Sequence, residues 1–264
     1  MAGIRALAWL RQGLARNASV IVVLVLWEAT TRTGIFNNFL LPPLSDVLVR
    51  AGQDIANGEI PRHVLATAYC ALVGFGIAAL AGIAVGALMS MSAVVRRIVE
   101  PLVSVAFPIP KISFMPIFVL WFGLGNLSEV TMIAFTCVVP IVSATYLGTA
   151  NVDKYFLWSA RNLGTRPHRL FWKVVIPAAA PEIISGLQVA FPLALIIAVV
   201  TEMLSGADGL GGYMIHAVRF AESPKVFAGL LATLLTGLVF IEGFAALRRR
   251  LLSWHAETAP GGRT

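Results

Sequence analysis

The sequence has few charged residues for its length. Of its 264 residues, 12% are Asp, Glu, Lys or Arg and 58% are hydrophobic, and the mean hydropathy is +0.83. A soluble domain has roughly 25% charged and about 45–50% apolar residues. A soluble fold of this length has too little interior for so many apolar side chains, so lipid must solvate many of them. The composition therefore excludes an ordinary soluble enzyme or binding domain.

Residues that usually carry chemistry are also scarce. The only cysteines, Cys70 and Cys137, fall inside apolar runs, which argues against a disulfide framework or a metal site and predicts packing roles. The four histidines are scattered near the ends of these runs, which disfavours an intramembrane enzyme. No Gly-x-x-x-x-Gly-Lys-Ser/Thr motif is present, so the chain lacks the usual loop that binds ATP. We expect no catalytic residue, no metal ligand and no cofactor bound by this chain.

Long apolar runs are abundant. A helix needs roughly 20 mostly apolar residues to cross a bilayer core about 30 Å thick. Such runs lie near 18–33, 64–91, 101–123, 128–150, 181–204 and 226–247. They predict an all-α polytopic membrane protein with about six transmembrane helices. The expected transmembrane domain spans 18–250, between a segment at 1–17 and a tail at 251–264. In the second run, Ala78, Gly82 and Gly86 have the small-residue spacing that lets helices pack closely.

The distribution of Lys and Arg predicts the orientation. With six spans, 14 of the 20 basic residues fall on the side of both termini and five on the other side. By the positive-inside rule, both termini and the segment 151–180 are cytoplasmic. The net charge of +7 is then a topology signal, and we expect no nucleic-acid partner.

The segments predicted to lie outside suggest local structure. A rigid turn at 41–44 precedes a short helix that Ser45 is expected to cap. The glycine-rich segment 205–225 is expected to be flexible and then amphipathic. Glu129 and Glu182 lie near predicted span ends, where an interfacial position is expected.

The inner segment 151–180 is much longer than a connection between two helices requires. Its first part has helical periodicity, and Gly164 can supply the left-handed residue that ends a helix. Thr165 and Pro167 suit the start of a second helix, which Pro177 is expected to interrupt. Two interpretations stay open. The segment is either a basic loop that sets topology and touches anionic lipid, or a docking element for a cytoplasmic partner.

This segment resembles the signature loop of binding-protein-dependent ABC import permeases, whose pattern is Glu-Ala-Ala, three residues, Gly, nine residues, then aliphatic-x-Leu-Pro. The matching positions are Ala160, Gly164, Val174, Ile176 and Pro177. Trp158 and Ser159 depart from the family's Glu and first Ala, which leaves the details of docking uncertain. The segments at 41–47, 107–112, 120–125 and 201–211 resemble the nitrate, sulfonate and taurine branch, so the similarity covers roughly residues 35 to 252.

The resemblance implies a type I importer permease in a bacterial cytoplasmic (inner) membrane. Its partners would be a second copy, two ATPase subunits that bind ATP and Mg, an external solute-binding protein and membrane lipid. The solute would be small and anionic, such as a sulfonate or nitrate. The implied coupling residues are Trp158, Ser159, Ala160, Arg161, Asn162, Gly164, His168, Arg169 and Pro177. The main alternative, a secondary transporter or channel, would need more spans or a repeated filter motif.

Two ionisable residues lie deep within the predicted spans. Lys111 lies among three prolines, so the third run should be broken there. Lys111 and Glu202 either form a buried pair or separate snorkelling contacts, or they border a translocation path. Hydrophobic rings that could line or gate such a path are Phe107, Phe114, Phe118 and Phe191.

Overall fold

A computed structural model of the chain describes residues 18–34 and 37–253, and within these ranges it is helical with no strand. We number the α-helices in chain order within these ranges. They are α1 (Ala18–Arg32), α2 (Leu44–Ala56), α3 (Glu59–Met91), α4 (Ala93–Ala106), α5 (Met115–Phe122), α6 (Asn126–Ala150), α7 (Lys154–Asn162), α8 (Pro167–Leu170), α9 (Ile176–Ser205), α10 (Leu210–Arg219) and α11 (Ser223–Leu251). A 3₁₀ turn (Lys111–Phe114) precedes α5, and a π-helical segment (Phe171–Val175) joins α8 to α9.

The described residues contain most of the expected spans. Within 18–34 and 37–253, four helical stretches are long and apolar enough to cross a membrane, and a bent pair can count as a fifth. The first expected span is represented in the described residues by α1, at Ala18–Arg32. The expected segment at 1–17, and the tail from residue 254 onward, lie outside the described residues.

The third expected span is broken, as its prolines predict. Helix α4 and the pair formed by the 3₁₀ turn and α5 meet at 100°. The break falls just before Lys111, next to Pro108 and Pro110, which cannot donate backbone hydrogen bonds.

The core consists of α3, α6 and α9, packed through small residues. A Cβ at Gly82 would lie 2.7 Å from Ile141, and one at Gly86 would lie 2.6 Å from Thr145. The small-residue pattern therefore brings α3 against α6, as predicted. Cys70 and Cys137 are buried free thiols in this core, which confirms their packing role.

Two local predictions are wrong. Pro177 does not interrupt a helix, because the chain passes through the π-helical segment and continues into α9. The wider turn bonds Ile176 N–H to the carbonyl of Phe171, five residues earlier, and relieves the clash that a proline ring makes in an α-helix. Ser45 does not cap α2; its backbone N–H donates to Glu28 of α1 at 3.1 Å.

The outer segment 205–225 is also more ordered than expected. It forms α10, whose first residues, including Leu210 and Tyr213, are almost fully buried. Glu129, which was expected at an interface, is fully buried at the start of α6, whereas Glu182 is exposed. The burial of Glu129 follows from the packing of α3 and α9 against α6.

Candidate functional site

The inner loop, residues 151–180, is a helix–glycine–helix projection. Asp153 begins α7 by accepting a hydrogen bond from Tyr155 N–H at 2.9 Å. Gly164 ends it with φ of +76°, as predicted. Gly164 N–H donates to the Arg161 carbonyl and Thr165 N–H to that of Ala160, the pattern of a Schellman motif. Both ends of α7 are therefore specified locally by sequence.

The outer face of this projection is aromatic and exposed. Tyr155 and Phe156 are exposed, and Trp158 is 50% exposed. Tyr155 and Trp158 meet edge to face with centroids 5.6 Å apart, and the Lys154 ammonium lies 5.4 Å from the Trp158 ring. Exposed large rings beside cations are typical of surfaces that bind another protein.

The remaining predicted loop residues lie around this aromatic face. Ser159, Arg161 and Asn162 are exposed on α7, whereas Ala160 is half-buried. His168, Arg169 and Pro177 are also exposed. None of the ion pairs within the described ranges involves a basic residue of this loop. The loop therefore presents uncompensated positive charge.

The loop is attached firmly to the membrane helices. Phe171 and Val175 of the π-helical segment are buried in a cluster with Ala87 of α3. Since α8, the π-helical segment and α9 follow without interruption, the second half of the loop is continuous with a core helix. A displacement of the loop would therefore move α9 directly.

The residues predicted for a translocation path fall into separate places. Lys111 is half-buried, and its ammonium donates to the Phe107 carbonyl at 3.4 Å. Phe114 and Phe118 both pack against Phe135 of α6. Phe191 packs in a different cluster. The structure thus brings Lys111 together with Phe107, and Phe114 with Phe118, but it does not bring Phe191 to them.

Glu202 lies in a buried assembly at the other end of α9, which we call the outer junction: His63, Thr67, Glu202 and residues 209–211. Three consecutive backbone N–H groups at the start of α10 donate to side chains of other helices. Gly209 donates to His63 Nδ1 at 3.1 Å, Leu210 to Thr67 Oγ1 at 2.8 Å, and Gly211 to Glu202 Oε2 at 2.9 Å. Thr67 in turn donates to Glu202 Oε2 at 2.9 Å. Side chains distant in sequence therefore cap this helix.

Lys111 and Glu202 do not form an ion pair; the ion pairs in the described part of the chain involve neither. The outer junction was missed in the sequence, where only the 201–211 motif pointed to it. Thr67 and His63 carry no sequence signal, since they lie 135 and 146 residues from their partners.

A polar network next to the outer junction joins α2 to α10. Tyr213 O–H donates to Asp54 Oδ2 at 2.5 Å, and Arg50 donates to the same oxygen at 2.9 Å. Burial raises the pKa of Asp54, but these two hydrogen bonds and the Arg50 charge outweigh it. The pKa of Asp54 therefore lies below its usual value.

The apolar helices, the broken span and the projecting loop define an all-α polytopic membrane permease. The sequence profile of the family described as "Binding-protein-dependent transport system inner membrane component" matches residues 78–253. The chain belongs to this family, and it is the permease component of an ABC importer, not itself an enzyme. The predicted family, fold class and transport function are confirmed.

Similar curated proteins match along most of the chain. The taurine transport system permease protein TauC of Escherichia coli (strain K12) is 28% identical over 252 residues, 94% of this chain and 92% of TauC. The formylaminopyrimidine transport permease protein ThiX of Halalkalibacterium halodurans is 30% identical over 246 residues, 92% of this chain and 96% of ThiX.

Solved structures share the fold. A chain of the MetNI methionine ABC transporter in an inward-facing conformation aligns with a TM-score of 0.64 and 16% identity, over 73% of this chain and 95% of that one. A chain of an amino acid ABC transporter aligns with a TM-score of 0.61 and 19% identity, over 75% of this chain and 97% of that one.

Proposed function

We propose that this permease imports a small anionic solute of the sulfonate type and that the inner loop receives the driving motion from an ATPase subunit. The observation that carries the proposal is the exposed aromatic and basic loop, built on an uninterrupted connection to α9. The similarity of this chain to permeases named for taurine and aliphatic sulfonates supports the solute class.

The side chains of the inner loop indicate how an ATPase subunit would bind to it. Rings of Tyr155 and Trp158 would enter an apolar groove on the ATPase subunit, while Arg161 and Arg169 would face its acidic residues. ATP and Mg would be bound on that subunit. A second permease copy, a second ATPase subunit and an external solute-binding protein would complete the importer in a bacterial inner membrane.

The proposed translocation path centres on Lys111. Lys111 is half-buried at the broken span, and no carboxylate among the described ion pairs neutralises its ammonium. Coulomb attraction at 4 Å is about 4 kcal/mol at an effective dielectric of 20, enough to favour an anion without trapping it. The places of Phe107, Phe114, Phe118, Phe191 and Glu202 on this path stay predictions.

Reconstitution tests the proposal. The permease is assembled in vesicles with its ATPase and solute-binding subunits, and uptake of labelled taurine is measured with and without ATP. We expect ATP-dependent uptake, with background ATP hydrolysis by the permease alone. Uptake that persists without ATP, or robust hydrolysis by the isolated chain, contradicts the assignment.

A variant pair tests the path. Lys111→Met should reduce anion uptake several-fold and leave assembly and basal ATP hydrolysis unchanged, because only the charge along the path is lost. Lys111→Arg keeps the charge and should retain most uptake. Equal uptake by the wild type and Lys111→Met would show that the charge of Lys111 does not act on the translocation path.

A further inference from the structure

Two glutamates, Glu129 and Glu202 of the outer junction, are enclosed in the core. Glu129 lies in the first turn of α6 and Glu202 in the last turn of α9, and the side chains of both are fully buried. An ionised carboxylate in such a place normally has a cation beside it.

Their hydrogen bonds place the two carboxyls side by side. Thr67 donates to Glu202, and Cys70 follows one turn later on the same face of α3. Ser205, one turn after Glu202 on α9, donates to Glu129 Oε1 at 3.0 Å. Because residues three apart on a helix are neighbours, Glu129 lies beside the turn of α9 that carries Glu202.

Among the described residues, no cation compensates the pair. Neither glutamate takes part in an ion pair within residues 18–34 and 37–253. Glu129 Oε2 and Glu202 Oε1 are buried and have no hydrogen-bond partner there. The polar groups that face the pair are a threonine, a serine, a thiol and a backbone amide, all of them neutral.

We propose that Glu129 and Glu202 hold one proton between them, so that this part of the protein carries a single negative charge. Two ionised carboxylates would repel each other in a site shielded from water, and such pairs retain a proton. Two protons are disfavoured because Glu202 Oε2 accepts hydrogen bonds from Thr67 and from the Gly211 amide at a helix N-terminus, which stabilise one negative charge. The proton belongs to the pair as a unit.

Infrared spectroscopy of the full-length permease in lipid nanodiscs tests the proposal without any transport assay. At neutral pH, exposed carboxyls are ionised, so a C=O stretching band of a protonated carboxyl that shifts in D2O reports buried acids. The variants are Glu129→Gln, Glu202→Gln and the double replacement. Glu182→Gln, which changes an exposed glutamate of α9, is the matched control.

We expect the wild type and the control to show the band, the double variant to lack it, and at least one single variant to keep its full amplitude. A band that falls by half in each single variant means that each carboxyl carries its own proton. A wild type with no such band means that both are ionised. Either result overturns the proposal. If the double variant does not fold, the wild type and the two single variants decide in the same way.

Discussion

The inner loop and the outer junction lie at opposite ends of α9 and are built in opposite ways. In the inner loop, large rings such as Trp158 are exposed, and the cations have no carboxylate partner in the described part of the chain. In the outer junction, polar side chains such as Thr67 and Glu202 are fully buried and bonded to the backbone at the start of α10. At the inner end of α9, the exposed rings and cations are available to a partner. At the outer end, the polar groups already bond to residues of the same chain.

We therefore expect the inner loop to serve the binding of a partner and the outer junction to serve the stability of the fold. Side chains of the inner loop contribute little to the fold because few of them are buried, so their substitution should affect assembly with a partner. Residues of the outer junction contribute to the stability of the fold, because their hydrogen bonds replace those that the same polar groups would form with water in the unfolded chain. The four predictions below test this separation, from the largest expected free-energy change to the smallest.

Gly212→Ala should destabilise the permease most. Its Cβ would lie within van der Waals contact of the Ala207 carbonyl oxygen, so the backbone of the outer segment must shift. We expect a loss of about 3 kcal/mol or more in stability. Thermal unfolding in detergent measures the loss. Gly76→Ala on α3, where a Cβ meets nothing within 4 Å, is the control and should be as stable as the wild type or more so. Equal stability of the two variants would show that the outer segment 205–225 can adapt to a side chain at this position.

Trp158→Ala should leave stability within about 0.5 kcal/mol of the wild type, because the ring is half exposed. If the ring is an anchor for the ATPase subunit, affinity should fall by about 2 kcal/mol, roughly 30-fold. Titration of labelled ATPase subunit onto permease nanodiscs measures this. Phe220→Ala removes a 74% exposed ring that follows α10 on the outer side, and it should bind like the wild type. A large loss of stability in Trp158→Ala would contradict the separation.

Gly164→Val should disrupt coupling while preserving the fold. Nothing lies within 4 Å of a Cβ at this position, so the effect comes from the left-handed backbone, about 1–2 kcal/mol for a residue with a side chain. The Schellman turn should relax and reorient α7 relative to α8. Transport and solute-stimulated ATP hydrolysis should fall strongly, whereas the unfolding midpoint should fall by only a few degrees. Gly164→Asn, which tolerates this conformation, should retain most activity. Full coupling in the valine variant would argue against a rigid loop.

Asp54→Asn should have the smallest effect, and one that depends on pH. Because the folded state lowers the pKa of Asp54, its stabilisation is present above the usual value of 3.8 and is lost as the pH falls through the folded-state pKa. The wild type should exceed the variant by about 1 kcal/mol at pH 7, and the difference should shrink below about pH 4. Exposed Asp46→Asn on the same helix is the control. A difference that does not change with pH would show that the charge of Asp54 is unimportant.

The extent to which sequence predicted this molecule depends on the range of the interactions. Gly164 was predicted correctly because a left-handed residue at a helix end is a local requirement that favours glycine. The break before Lys111 was predicted because proline lacks a backbone donor. The cap of α10 by Thr67 and His63 could not be predicted, since it forms only when α3 packs beside residues more than 140 positions later.

Pro177 and Glu129 show how local signals mislead. Proline indicates that an α-helix cannot continue unchanged, but it does not determine whether the helix ends or widens, and here it widens. A glutamate near the end of an apolar run suggests contact with water, yet the packing of α3 and α9 encloses Glu129. In both cases the neighbouring helices determine the outcome.

The π-helical segment at Phe171–Val175 sets the rotational phase between the inner loop and α9. A π-turn corresponds to one residue more than an α-helix would contain over the same path. Deleting one residue there would convert the segment to ordinary α-helix over nearly the same path, so the loop would keep its orientation relative to α9. Deleting one residue from an ordinary α-helical turn between the loop and α9 would instead rotate the loop by about 100° around the axis of α9, with an axial shift of about 1.5 Å, and would present a different face of the loop to the ATPase subunit.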